Sequence, residues 1–163
     1  MATDVRGDGV PEPTLDGAGR RVAIVAARFN GHVTLRLVAG ARAGLRAAGV
    51  ADDDVSLTWV PGAFEIPIAA QALTADHDAV IALGCVIRGE TAHFEHVAGQ
   101  AAAGIMRVGL DTGVPVVFGV LTTEDLDQAL ARSALDGDPP DGHNVGAEAA
   151  AVAVEMTALS RRR

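Results

Sequence analysis

Cysteine occurs once among the 163 residues, tryptophan once and tyrosine not at all. The single Cys85 excludes an internal disulfide, which agrees with a reducing compartment and points to the cytoplasm. The spacing of Cys and His gives no zinc pattern. No apolar run approaches the roughly 20 residues of a membrane-spanning helix, so no membrane partner is expected. There is no Walker motif, and no Gly-x-Gly-x-x-Gly follows the first apolar run. Positive charge is also scarce. The formal net charge is −8, and a chain this acidic repels the phosphate backbone of DNA or RNA, which speaks against a nucleic-acid partner. The terminal Arg161-Arg162-Arg163 is too short to reverse that.

Apolar residues make up 49% and charged residues 21%, and at this length they suffice for one globular domain with a substantial core. Residues 1–19 are rich in Gly, Asp and Pro and lack an apolar h-region. They read as a flexible arm rather than a signal peptide, ahead of a single domain over 20–163.

Within that domain the hydrophobic pattern alternates between two kinds. Short apolar runs at Arg21–Ala27, Val55–Val60, Asp78–Leu83 and Pro115–Leu121 read as buried strands. Between them apolar residues recur at helical spacing, as at Leu37, Val38, Ala41, Leu45 and Ala48, where Gly49 ends the helix. Pro67 is tolerated if it lies in the first turn of the next helix. Phe94, Val97, Ala98, Ala101, Ile105 and Val108 mark a third helix reaching about Leu110. Thr122-Thr123-Glu124-Asp125 reads as a capping signature opening a fourth, with a Thr hydroxyl and an acidic residue three positions on. A Gly- and Pro-containing loop over Asp136–Asn144 precedes a last helix at about Val145–Leu159. That helix is apolar nearly all round, which implies burial on more than one side, a subunit interface being one way. The order β-α-β-α-β-α-β-α-α implies an α/β protein with one doubly wound parallel sheet covered by helices on both faces.

Ligands in such sheets bind beyond the carboxyl ends of the strands, where this chain carries Phe29-Asn30, Pro61–Glu65, Gly84–His93 and Phe118. Gly84–His93 reads as a tight turn and helix start, whose unpaired N–H groups and positive dipole end suit an anion, although most such turns bind only water. His93 in that turn has an intrinsic pKa suited to proton transfer, or is a solvated or capping residue. Phe29 is a stacking platform for a planar ring or a core aromatic. Glu65 accepts hydrogen bonds from a polyol or complements a helix dipole, and Arg132 clamps a phosphate or serves as a helix-end charge. Cys85 reads as a small buried apolar residue rather than a nucleophile. An anionic substrate would need local cations, which singles out Arg88 and Arg132. Ala27–His32 does not supply the Ser-, Thr- and Gly-rich run of a flavodoxin-type phosphate loop.

Five blocks, in order and at compatible spacing, resemble the 6,7-dimethyl-8-ribityllumazine synthase family. They are Arg28-Phe29-Asn30, Val60–Pro67, Gly84–Val97, Val117–Glu124 and Gln128–Arg132. The resemblance covers about Arg21 to Leu159. It implies a single-domain, three-layer α/β/α fold of flavodoxin-like type with a four-stranded parallel sheet. It also implies a transferase that condenses 5-amino-6-(D-ribitylamino)uracil with 3,4-dihydroxy-2-butanone 4-phosphate, without metal or redox cofactor. By motif, Phe29 stacks on the pyrimidine, while Ala63, Phe64 and Glu65 hold the ribityl chain. Cys85, Val86 and Ile87 present backbone groups to the ring edge. Glu90, Thr91 and Arg132 bind phosphate, His93 shuttles protons, and Phe118 completes the pocket of a neighbouring subunit. The resemblance thus implies a cytoplasmic homo-oligomer with riboflavin synthase as a further partner. The Asp136–Asn144 loop, longer than in family members that build sixty-subunit shells, together with the arm carrying Pro11 and Pro13, points to a pentamer or pentamer pair. One departure stands out: Asn144-Val145-Gly146 replaces the family's usual Asn-Lys-Gly. It leaves open an alternative, a lumazine-binding or assembly paralogue with little catalysis.

Overall fold

The computed structural model describes residues 7–160. The first six residues of the expected arm and the Arg161-Arg162-Arg163 end lie outside the described residues. Residues 7–20 form neither helix nor strand, and the arm meets the domain where Gly17 N donates to the Ala48 carbonyl at 2.8 Å.

Four strands, β1 (Val22–Ala27), β2 (Val55–Val60), β3 (Ala79–Ile87) and β4 (Val116–Thr123), form one sheet in the order β2-β1-β3-β4, all parallel. Five helices connect and cover them: α1 (Gly31–Ala47), α2 (Ile66–Leu73), α3 (His93–Thr112), α4 (Leu126–Ala131) and α5 (Val145–Ser160). The three-layer α/β/α architecture read from the sequence is therefore the observed one.

The reason is visible in β1, whose six residues are all at most 1% exposed. Alternate residues feed two cores. Val22, Ile24 and Ala26 join α1 and α5 through Leu37, Leu45 and Val154, whereas Ala23 and Val25 join α2 and α3 through Ile66 and Ile105. Each side chain of Leu or Ile size so buried contributes roughly 1.5–3 kcal/mol. The helices on the α1 side pack closely because they present small residues. A Cβ on Gly146, in the first turn of α5, would lie 2.0 Å from the Leu37 carbonyl oxygen.

Two boundaries differ from the sequence expectation. β3 runs four residues past Leu83, because Gly84, Cys85, Val86 and Ile87 pair with Val120, Leu121, Thr122 and Thr123 of β4. β4 likewise absorbs Thr122 and Thr123, so the cap of α4 is Asp125, whose carboxylate accepts from Gln128 N at 2.8 Å. The last helix buries one side only. Its Ala149, Ala150, Ala153 and Val154 face the core, while Val152, Met156 and Leu159 are 44%, 38% and 55% exposed in the single chain.

Candidate active site

The strand order reverses direction around β1 and β3, and this switch point is where an open α/β sheet leaves a crevice. A cleft of ≈ 680 Å³ lies there. It gathers Phe29, Ala63, Phe64, Glu65, Cys85, Val86, Ile87, Thr91 and His93 from three strand ends. Nine of the residues singled out in the sequence therefore meet in one place.

The cleft floor is an open strand edge. Pairing between β1 and β3 stops at Ala26 and Leu83, yet β3 continues to Ile87 held only by β4. The backbone of Cys85, Val86 and Ile87 on the β1 side is thus outside the ladder. Asn30 reaches across, its Nδ2 donating to the Cys85 carbonyl at 2.8 Å. Asn30 adopts the left-handed region with φ 55 and ψ 40, which Asn tolerates better than most residues.

That turn also sets Phe29. Its N–H donates to the Pro61 carbonyl at 3.1 Å, so the backbone is fixed while the ring stands 72% exposed. Phe64, which lines the same cleft, is 58% exposed. Two exposed phenyl rings in a chain with four Phe are out of place in a core reading and suit a planar ligand. Glu65 lies in the short 3-10 turn Ala63–Glu65, and its Oε2 accepts from Gly62 N at 2.9 Å. A carboxylate has about four acceptor positions, so anchoring this turn leaves capacity for ligand hydroxyls.

Cys85 is 3% exposed, and burial pushes its thiol up to about 11. It is a neutral packing residue, and what it offers the cleft is backbone. His93 opens α3 and is exposed to the cleft. The N-cap, Ala92, provides no side-chain cap, and the His93 N–H finds only Thr91 Oγ1 at 3.4 Å. The helix start therefore keeps donors for an anion. Glu90 is exposed and does not line the cleft, which removes the repulsion its carboxylate would exert.

Besides Glu90, two more expected residues stand elsewhere in the single chain. Arg132 caps the end of α4, with Nη1 donating to the Gln128 carbonyl at 2.9 Å. Val145 lies against it, donating its N–H to the Arg132 carbonyl at 2.9 Å and packing its side chain on the core. Phe118 is 45% exposed on β4, the opposite sheet edge from β2, and lines a separate apolar groove. Three contributors escaped the sequence reading: the Asn30 side chain, His96 on the cleft wall, and the contacts of Arg88. Only the first left a local trace, the Asn-Gly turn signature.

Among the described residues, no group of three or more His, Cys, Asp or Glu is placed to hold a metal, and no helix is long and apolar enough to cross a membrane.

A parallel α/β sheet with an aromatic-lined cleft at its switch point places the chain among α/β proteins with a small-molecule cleft. The chain belongs to the 6,7-dimethyl-8-ribityllumazine synthase family, whose model matches residues 19–161. Membership places it among the transferase-type enzymes of riboflavin biosynthesis.

Proposed function

We propose that the chain condenses 5-amino-6-(D-ribitylamino)uracil with 3,4-dihydroxy-2-butanone 4-phosphate to 6,7-dimethyl-8-ribityllumazine, releasing phosphate. The amine and ketone form an imine with loss of water, phosphate is eliminated, and ring closure with loss of a second water gives the product. The observation that carries this reading is the β3 edge beyond Leu83, outside the β1 ladder, where Asn30 holds the Cys85 carbonyl and Val86 and Ile87 line the same cleft as exposed Phe29. A pyrimidine has hydrogen-bonding groups along its edge and an apolar face, and this pair of surfaces matches both.

Phe64 and Ala63 line the path of the ribityl chain, and Glu65 accepts from its hydroxyls. The phosphate sits at the start of α3 over Thr91 and the Glu90 backbone, with Arg132 turning toward it from α4. His93, beside both, moves protons during imine formation and elimination. Juxtaposing the two reactants supplies about 7 kcal/mol or more of the barrier reduction, and general acid–base help adds about 10²–10⁴-fold.

The reading includes a homo-oligomer, a pentamer or a pair of pentamers, in the cytoplasm. Its support is an open apolar groove of ≈ 820 Å³ between α3, β4 and α5. There Met106, Leu110 and Leu159 are 65%, 75% and 55% exposed alongside Phe118. A second copy seated on it would cover these residues and bring Phe118 to a neighbour's cleft.

Steady-state turnover of the purified chain with both substrates, followed by lumazine absorbance, tests the proposal, with particle mass taken on the same sample. Turnover from a pentamer-sized particle is expected. Tight lumazine binding without turnover would overturn the enzymatic reading, and Val145→Lys would then be the first variant to assay.

A further inference from the structure

Few contacts of its own hold the turn over residues 89–92 that would cradle phosphate. A Cβ on Gly89 would meet nothing within 4 Å, Ala92 offers no side-chain cap, and the bond from His93 N to Thr91 Oγ1 is long. The neighbouring Arg88 is the opposite case. Its N–H donates to the Thr123 carbonyl at 2.9 Å, continuing the β3–β4 ladder. Its Nε donates to Glu124 Oε2 at 2.7 Å, and its Nη1 donates to Glu95 Oε1. Its Cζ lies 4.3 Å from the centroid of the Phe94 ring.

We propose that Arg88 is a positioning residue. Its guanidinium clamps the first turn of α3 to the ends of β3 and β4, fixing the 89–92 turn and the His93 imidazole. The inference rests on the function proposed above. Phe94 and Glu95 directly follow His93, so the two α3 contacts of Arg88 grip the residues that carry the histidine. Glu124 ties the same plane to the start of the β4–α4 connection. One planar cation thus serves three elements, by two forked donors and one face, which an ammonium cannot do.

The geometry also divides the labour between the two cations that the sequence marked for an anionic substrate. Arg88 is neutralised by two carboxylates and is not a phosphate ligand, which leaves that role to Arg132. Glu95 in turn lies below the ordinary carboxylate range, first because Arg88 donates to it. The side chains of Arg88, Glu95 and Glu124 are 39%, 54% and 60% exposed. Ion pairs so exposed add little to global stability, so the clamp acts on local geometry and its removal leaves the fold in place.

The test uses the full chain with Arg88→Ala and Arg88→Lys, assayed with both substrates and by amide hydrogen exchange. In Arg88→Ala, KM for the phosphate-bearing ketone should rise and kcat fall, each about tenfold, with KM for the aminouracil within about twofold. Exchange should accelerate over 89–96 and stay unchanged in β1 and α1. Arg88→Lys, which keeps the charge and loses the fork, should recover part of both losses. Unchanged exchange over 89–96, or equal shifts in the two KM values, would overturn the clamp. If Arg88→Ala does not fold, Glu95→Gln and Glu124→Gln read the same clamp from its other ends. A wild-type chain without turnover would overturn the proposed reaction instead, and the exchange comparison would still decide the clamp.

Discussion

Asn30 and Cys85 lie 55 residues apart, and a single 2.8 Å hydrogen bond from Asn30 Nδ2 to the Cys85 carbonyl joins the end of β1 to the overrunning part of β3. It bridges the two strands just past the point where their pairing stops, and it ties down the turn that displays Phe29. Asn30→Gly keeps the left-handed backbone and loses the donor. It should destabilise the chain by about 1 kcal/mol and raise KM for the aminouracil about tenfold. Asn30→Asp sets a carboxylate against the carbonyl and should be worse on both counts. Denaturant melts and substrate titrations decide, and an Asp variant equal to wild type would refute the role.

His93 stands at the cleft with little else to hold its N–H. His93→Ala should slow turnover by about 10²–10⁴-fold and leave measurable activity, because positioning of the reactants survives. Complete loss in a correctly assembled variant would contradict this division.

Arg132 donates to the Gln128 carbonyl of its own helix, and under the proposed function it would exchange that contact for phosphate. Arg132→Ala should raise KM for the phosphate-bearing substrate much more than KM for the aminouracil. Equal losses for the two would refute the clamp role.

Cys85 provides a pH test. Its thiol is raised from 9.0 to about 11 by burial. The folded chain therefore favours the neutral form. Its contribution to stability is complete below pH 9 and is lost as pH rises through about 11. Alkylation by iodoacetamide at pH 8 should be far slower in the native chain than in denaturant. Cys85→Ala, which keeps the backbone, should keep turnover and move the alkaline limb of the stability profile upward. Rapid native labelling would show the thiol to be accessible.

Most of the fold was legible because β1 and the start of β3 are apolar on both faces, a pattern that only a covered parallel sheet requires. The limits of β3 and β4 were not. Gly84 punctuates the run after Leu83, and Thr122-Thr123 resembles a cap, but pairing between these two strands overrides both signals. For the site, the motif blocks brought out the residues that line the cleft. What they missed acts at long range. Arg88 meets Glu124 across 36 positions, and no local period encodes such a partner. Arg132 and Phe118 belong to the motifs yet stand outside the cleft of one chain, since a sequence block records membership and not where the fold places each side chain.

The overrun of β3 past β1 has a consequence for how this site can change over time. If the ring edge is read by main-chain groups of Cys85, Val86 and Ile87, recognition is indifferent to the identity of those three side chains. Substitutions there would be filtered for volume and strand formation alone. Ligand selectivity would drift through Phe29, Phe64 and Glu65, and the donor–acceptor order of the bound heterocycle would stay the most durable part of the site.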